Sequence, residues 1–313
     1  MLVEAFERLL ETHCPAAVVR SAEAGAFPGA LAAALPDSGF LDLLLPETAG
    51  GAGLALPELF PLAVAAGRRA CPLPFAETAF ARGLLARAGV AAPNGWILLA
   101  PPSPLHPMAR HATHALVPDG GAVVVAEAHA AGEDPWGTGA ATRIGTGAVL
   151  GRIARVDLAA AAAALAAARI AGLAEAAAEL TLAHVATRQQ FGRPLAAFQA
   201  IQQAMAQLAE EVIAARTAAG LAFAGAGFAP LPAAIAKARA SDAARTVQAI
   251  VHQAHGAIGM TAEYDLGLFT RRLQEARLTH GSEGHWHRLI GAARLADRAG
   301  TAADFLQRAL ELA

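Results

Sequence analysis

From Leu158 to Thr187 the chain runs without a proline and consists largely of alanine and leucine, residues that favour helix at almost every position. A stretch of this kind is a helix, and side chains this small let neighbouring helices come close, so a tight antiparallel bundle is the natural architecture around it. The sequence predicts partners for it: Pro194 to about Ala224 and Pro232 to about His255, each with proline in a first turn, and two more helices flanking His280 to Glu283. Phe198, Ile201, Met205, Leu208 and Val212 recur at three- and four-residue steps, one stripe that predicts burial against other helices. The unbroken apolar part, Leu158 to Ala168, is bounded by Asp157 and Arg169. That is too short to cross a bilayer, which takes about 20 apolar residues, so no membrane partner is expected.

Upstream the pattern changes twice. Met1 to about Gly89 reads as helical, with Leu2, Phe6, Leu9 and Leu10 at helix spacing, a break at Phe27 to Gly29, and a second break at Pro46 to Leu54 before a helix that starts near Pro57. From Asn94 to Val156 proline and glycine recur, and short β-prone runs (Trp96 to Leu99, Ala122 to Val125, Ala148 to Ile153) lie between turn signals such as Asp119-Gly120-Gly121. The expected fold class is mainly α: an N-terminal helical domain over 1–93, a small central β domain over 94–156, and a C-terminal antiparallel helical bundle over 157–313.

Composition removes several function classes. A net charge of −2 with no basic block interleaved with aromatics gives nothing to hold a nucleic acid. Cys14 and Cys71 are the only cysteines, far apart in sequence, so no disulfide framework or CxxC-type zinc cluster is expected. Glu4, Glu7, Arg8 and Glu11 break up the first residues where a secretory signal needs an apolar run, which predicts a cytoplasmic protein.

Three segments carry a resemblance. Arg188-Gln-Gln-Phe-Gly-Arg-Pro-Leu195 followed by Phe198-Gln199 is similar to an R-x-x-F-G motif at a helix-turn-helix junction. Gln253 to Ile290, with QAHGAIGMTAEY and then EGHWHRLI, resembles a Q-x-x-G-G…E-G…R-L-I stretch, and PETAGGAGL resembles P-x-x-x-G-G-x-G-L. Together, and in this order, they resemble the acyl-CoA dehydrogenase family. The likeness covers the helical N-terminal region and the C-terminal bundle, with the middle a reduced version.

The resemblance implies an FAD enzyme that dehydrogenates an acyl-CoA thioester at its α and β carbons. A carboxylate takes the α-proton while hydride leaves to the flavin, and the electrons pass on to an electron-transferring flavoprotein. Glu283 stands where the family has its catalytic glutamate, and burial in a dry cleft is expected to raise its pKa. Gly284 leaves room for the acyl chain. Arg188 is implied as a ligand of the FAD pyrophosphate across a subunit interface, with Gln190 and Phe191 beside the adenosine, Gln199 near the adenine, and Gln253 with Gly256 along the pyrophosphate turn. His285, which replaces the threonine usual after the E-G pair, joins this cofactor group. A homodimer or homotetramer follows, or a hetero-oligomer with a longer acyl-CoA dehydrogenase chain.

The residues also admit plainer readings. The alternative for Glu283 is an acid in a first turn behind an N-capping Ser282, and for Arg188, Arg193 and the glutamines a solvated face. The family's flavin-covering Thr-Glu-Pro…Gly-Ser-Asp motif is missing, and Ala159 to Ala164 replaces its CoA-anchoring Asp and Arg. Trp136 is a possible flavin-stacking side chain. These departures keep open a site-sharing subunit, or a helical assembly scaffold without activity. No metal is expected, since His280, Glu283, His285 and His287 lack H-E-x-x-H spacing. The GGAGLA run has no preceding strand and is not a dinucleotide fingerprint.

Overall fold

A computed structural model describes residues 1–101, 103, 105–135, 137–138 and 142–311. Trp136 lies outside the described residues. Five helices open the chain: α1 Leu2–His13, α2 Ala16–Glu23, α3 Gly29–Asp37, α4 Leu56–Arg68 and α5 Phe75–Arg87. Four strands follow, β1 Ile97–Leu99, β2 His114–Asp119, β3 Ala122–Ala130 and β4 Ile144–Ala154. They form one sheet in the order β1-β2-β3-β4, with β1 parallel to β2 and the other pairs antiparallel. Asp119 pairs with Ala122 around the Gly120-Gly121 turn, where Gly120 takes φ +60°. The last six helices are α6 Leu158–Thr187, α7 Gln199–Leu221, α8 Pro230–His255, α9 Leu266–Leu278, α10 Glu283–Ala296 and α11 Ala302–Glu311.

The architecture is the mainly α one expected, with helical regions flanking a small sheet. Helix α6 is its axis. Asp157 caps it by accepting from the Ala160 amide at 2.9 Å, and most of its residues are buried. By length and composition α6 is long and apolar enough to cross a membrane, but 78% of its most apolar window is buried inside the protein. Its hydrophobicity is therefore that of a core helix, and its bounds are those expected from the sequence.

Close packing against α4 depends on two glycines. A Cβ on Gly172 would lie 2.0 Å from the Val64 carbonyl oxygen, and one on Gly67 would lie 2.6 Å from the Arg169 carbonyl oxygen. Backbone meets backbone here, so no side chain can swing away. Gly172→Ala should accordingly lower unfolding stability by about 2 kcal/mol in urea titration, even though Ala in a free helix gains up to about 1 kcal/mol over Gly. An unchanged or raised midpoint would contradict this account of the crossing.

Two expectations fail in detail. Pro194 does not open a helix: Gln189–Gln190 and Arg193–Pro194 form a two-residue hairpin, β5 and β6, a 3-10 turn follows at Leu195–Ala197, and α7 begins at Gln199. The α7 stripe is only partly covered. Leu208 is buried, Phe198, Ile201, Met205 and Val212 are half-buried, and Ile213 beside them is 64% exposed.

Candidate functional site

The turn between α9 and α10 is built around Lys237, the only lysine in the chain. Its fully buried ammonium group donates to the Ser241 hydroxyl and to the Arg277 and Gly281 carbonyls, each at 2.9 Å. The Trp286 indole N–H donates to the same Gly281 carbonyl at 3.1 Å. This double anchor holds His280 at φ +57° and Gly281 at φ +95°. Burial pushes the Lys237 pKa down to about 7.

Glu283 follows directly. Its carboxylate accepts two bonds from Arg277, from Nη2 at 2.5 Å and Nε at 3.1 Å, and both side chains are half-buried. The bidentate guanidinium holds the Glu283 pKa below its ordinary value, opposite to the rise expected of a base buried in a dry cleft. Ser282 is the N-cap of α10 without making a side-chain cap bond. His285 is exposed and Gly284 half-buried. Beside this turn a cleft of about 470 Å³ is lined by Ser103, Leu105, Ala159, His280, Gly281 and Trp286 among others; His285 borders it and Glu283 does not.

The other sequence-predicted residues collect elsewhere. Helices α6 and α8 end at the same place, where the His184 and His255 rings stack at 4.4 Å. His255 Nδ1 lies 2.8 Å from the Val251 carbonyl and Nε2 3.1 Å from the Tyr264 hydroxyl. The carbonyl requires a proton on Nδ1, so Nε2 accepts from the tyrosine. Arg188, Gln190, Phe191, Gln199, Gln253 and Gly256 are all exposed around this end. Phe191 is 92% exposed at φ +51°, an aromatic held in the left-handed region at a hairpin tip, and Gly256 takes φ +61° with nothing within 4 Å of a Cβ. From Lys237, at the Glu283 turn, to Gln253 is a run of α8 about 24 Å long at about 1.5 Å per residue. One protomer therefore keeps Glu283 apart from Arg188, Gln190, Phe191, Gln199, Gln253 and Gly256, and only His285 of the predicted cofactor group lies beside it.

Residues 152–296 match the family pattern described as acyl-CoA dehydrogenase, C-terminal domain. Across almost the whole chain, the sequence is 32% identical over 301 residues to the acyl-CoA dehydrogenase IpdE2 of Mycobacterium tuberculosis, covering 90% of this chain and 91% of that protein. The chain belongs to the acyl-CoA dehydrogenase family. Its fold is that of two solved relatives. One is a Tcur3481-Tcur3483 steroid ACAD variant, with TM-score 0.83, 23% identity and coverage of 96% of this chain and 98% of that one. The other is the ChsE4-ChsE5 complex from M. tuberculosis, with TM-score 0.79, 19% identity and coverage of 95% and 96%. Membership brings the dehydrogenase chemistry of the superfamily in general terms.

This family member also carries a buried charged layer that the sequence reading did not single out. Arg272, 1% exposed, donates to Glu23 at 2.6 Å and to the Leu268 and Thr138 carbonyls, while Arg271 holds the other Glu23 oxygen at 2.6 Å. Arg169 donates to the fully buried Glu275 at 3.2 Å. Glu77 accepts from the Leu99 amide at 3.2 Å, and burial raises its pKa to about 7. Cys14 and Cys71, distant in sequence, are buried neighbours within hydrogen-bonding reach. One signal for this layer stands in the sequence, Arg169 as the sole charged residue between Leu158 and Gly172, and one for the α9–α10 turn, Lys237 as the sole lysine. Among the described residues no cluster of three or more His, Cys, Asp or Glu could hold a metal ion.

Proposed function

We propose that this chain carries out FAD-dependent α,β-dehydrogenation of an acyl-CoA thioester in an assembly whose active site is completed by a second chain. The separation of Glu283 from Arg188, Gln253 and Gly256 by a run of α8 about 24 Å long carries this reading. The exposed end of α6 and α8 suits a diphosphate: Arg188 supplies a guanidinium fork, Gln190, Gln199 and Gln253 supply amides, and the backbone at Gly256 is open to an anion. Exposed Phe191, held at a positive φ, supplies an aromatic surface on the same edge. Bound there, FAD would supply the hydride acceptor. The chain's own part is to orient the nucleotide from one end of the bundle and to shape the cleft beside Gly281 and Trp286 at the other. An electron-transferring flavoprotein is the natural electron acceptor.

The grip of Arg277 on Glu283 favours one version of this assembly. A carboxylate tied by two charge-assisted bonds is a poor proton acceptor, so Glu283 serves as base only where substrate binding releases Arg277. A second, longer dehydrogenase chain that brings its own base avoids that requirement. Absorption spectra and turnover measured for the chain alone and co-expressed with such a chain test the reading. Flavin absorbance and activity should be low alone and appear together on co-expression; a chain that refuses FAD in both settings is a scaffold. Glu283→Gln separates the two versions. Lost turnover with intact flavin absorbance makes Glu283 the base, and retained turnover makes it a structural partner of Arg277.

A further inference from the structure

A second, smaller cavity, about 40 Å³, shares His280 as a lining residue with the 470 Å³ cleft. Its apolar walls are Ala63, Ala66, Met108 and Leu165, but Glu77, Arg169 and His280 also face it. Two of these polar groups have unused capacity. Arg169 spends Nη2 on Glu275 while, among the described residues, its buried Nη1 has no partner and neither ring nitrogen of His280 has one. Buried donors are seldom left without acceptors, because desolvation then goes uncompensated. A cavity of this size takes a water or the tip of a ligand, not its body.

On the reading of the chain as part of an acyl-CoA dehydrogenase, we propose that this cavity recognises a hydroxyl group on the acyl portion of the substrate, with Arg169 donating to its oxygen and Glu77 accepting its proton. The body of the acyl group would occupy the larger cleft and pass His280 to reach it. A hydroxyl both accepts and donates, which matches one guanidinium and one carboxyl. A carboxylate fits worse, since Glu77 would face it and Glu275 already pairs with Arg169, and an alkyl end would leave Arg169 Nη1 stranded. The proposal makes Arg169 and Glu77 specificity residues, with no part in moving the α-proton.

The test is calorimetric binding to the assembled flavoprotein of octanoyl-CoA, of its derivatives hydroxylated at each of the four terminal carbons, and of octanedioyl-CoA. At least one hydroxylated ester should bind about tenfold or more tightly than octanoyl-CoA, the low end for a hydrogen bond to a charged group. Arg169→Met should abolish the gap while octanoyl-CoA binds as before. Should that variant fold poorly because Glu275 loses its partner, Arg169→Met combined with Glu275→Met removes the pair together, a change that buried pairs tolerate better. Equal binding of all neutral esters, a preference that survives loss of Arg169, or tightest binding of octanedioyl-CoA overturns the proposal. Failure of every thioester, octanoyl-CoA included, overturns the dehydrogenase reading beneath it and the proposal with it.

Discussion

Glu23→Ala is expected to lower the unfolding free energy by about 3–5 kcal/mol, the cost of leaving a buried charge without its partner. Glu23 closes α2 and reaches across to α9, where Arg271 and Arg272 each take one of its oxygens at 2.6 Å. Arg271 is exposed enough to turn to water, but Arg272 is not: at 1% exposure it would keep only two carbonyl acceptors. The N-terminal helices and the bundle should then loosen together. Denaturant titration of Glu23→Ala beside Glu23→Ala/Arg272→Met checks this, because removing both charges should recover much of the loss. Equal destabilisation of the single and double variants would show that the charge was never the issue.

The second large effect depends on pH. His280 is buried with no partner on either nitrogen among the described residues, facing His106, Lys237 and Arg169, and burial takes its pKa down to about 3. In the unfolded chain the ring protonates near pH 6.5. Below that value the unfolded state binds a proton that the folded state refuses, so this ring removes stability steadily as pH falls from about 6.5 towards 3 and has no such effect above. Between pH 6.5 and pH 4 the loss amounts to about 3 kcal/mol. His106, lowered to about 4 by burial, adds to it in the same direction. A His280→Phe variant should therefore have a flatter acid limb than the parent in parallel urea titrations. Curves that stay parallel down to pH 4 would mean that the ring finds water or a partner when folded.

Much of this fold is legible because composition and periodicity act locally. An alanine run after a capping Asp157 is α6 under almost any surroundings, and a proline-led segment ending in Gly256 is α8. Strand β2 escaped because its sequence, HALVPD, carries Pro118, which argues against a strand; in the sheet Pro118 pairs with Val123 beside the hairpin turn, where a missing N–H costs little. Pro194 misled for a related reason. Its φ of −58° suits helix and extended chain alike, and only ψ of 148° separates them, a quantity set by the hairpin around it. The candidate residues were legible in the sequence, and their geometry was not. The family-like segments point to Glu283 and Arg188 separately, yet nothing in their order says that α8 holds them apart. Glu283 and Arg277 are six residues apart across a turn, and only the folded turn brings guanidinium to carboxylate and reverses the expected pKa. Tertiary placement likewise made neighbours of Cys14 and Cys71.

The sealing of Lys237 inside the α9–α10 turn has a chemical consequence for the whole surface. All other fixed side-chain cations are arginines, and the one lysine has no exposure. The folded protein thus offers no side-chain primary amine to acylating reagents or to enzymes that acetylate, methylate or conjugate lysine. That chemistry becomes available only when the turn opens, which makes a single internal atom a reporter of whether this region is closed.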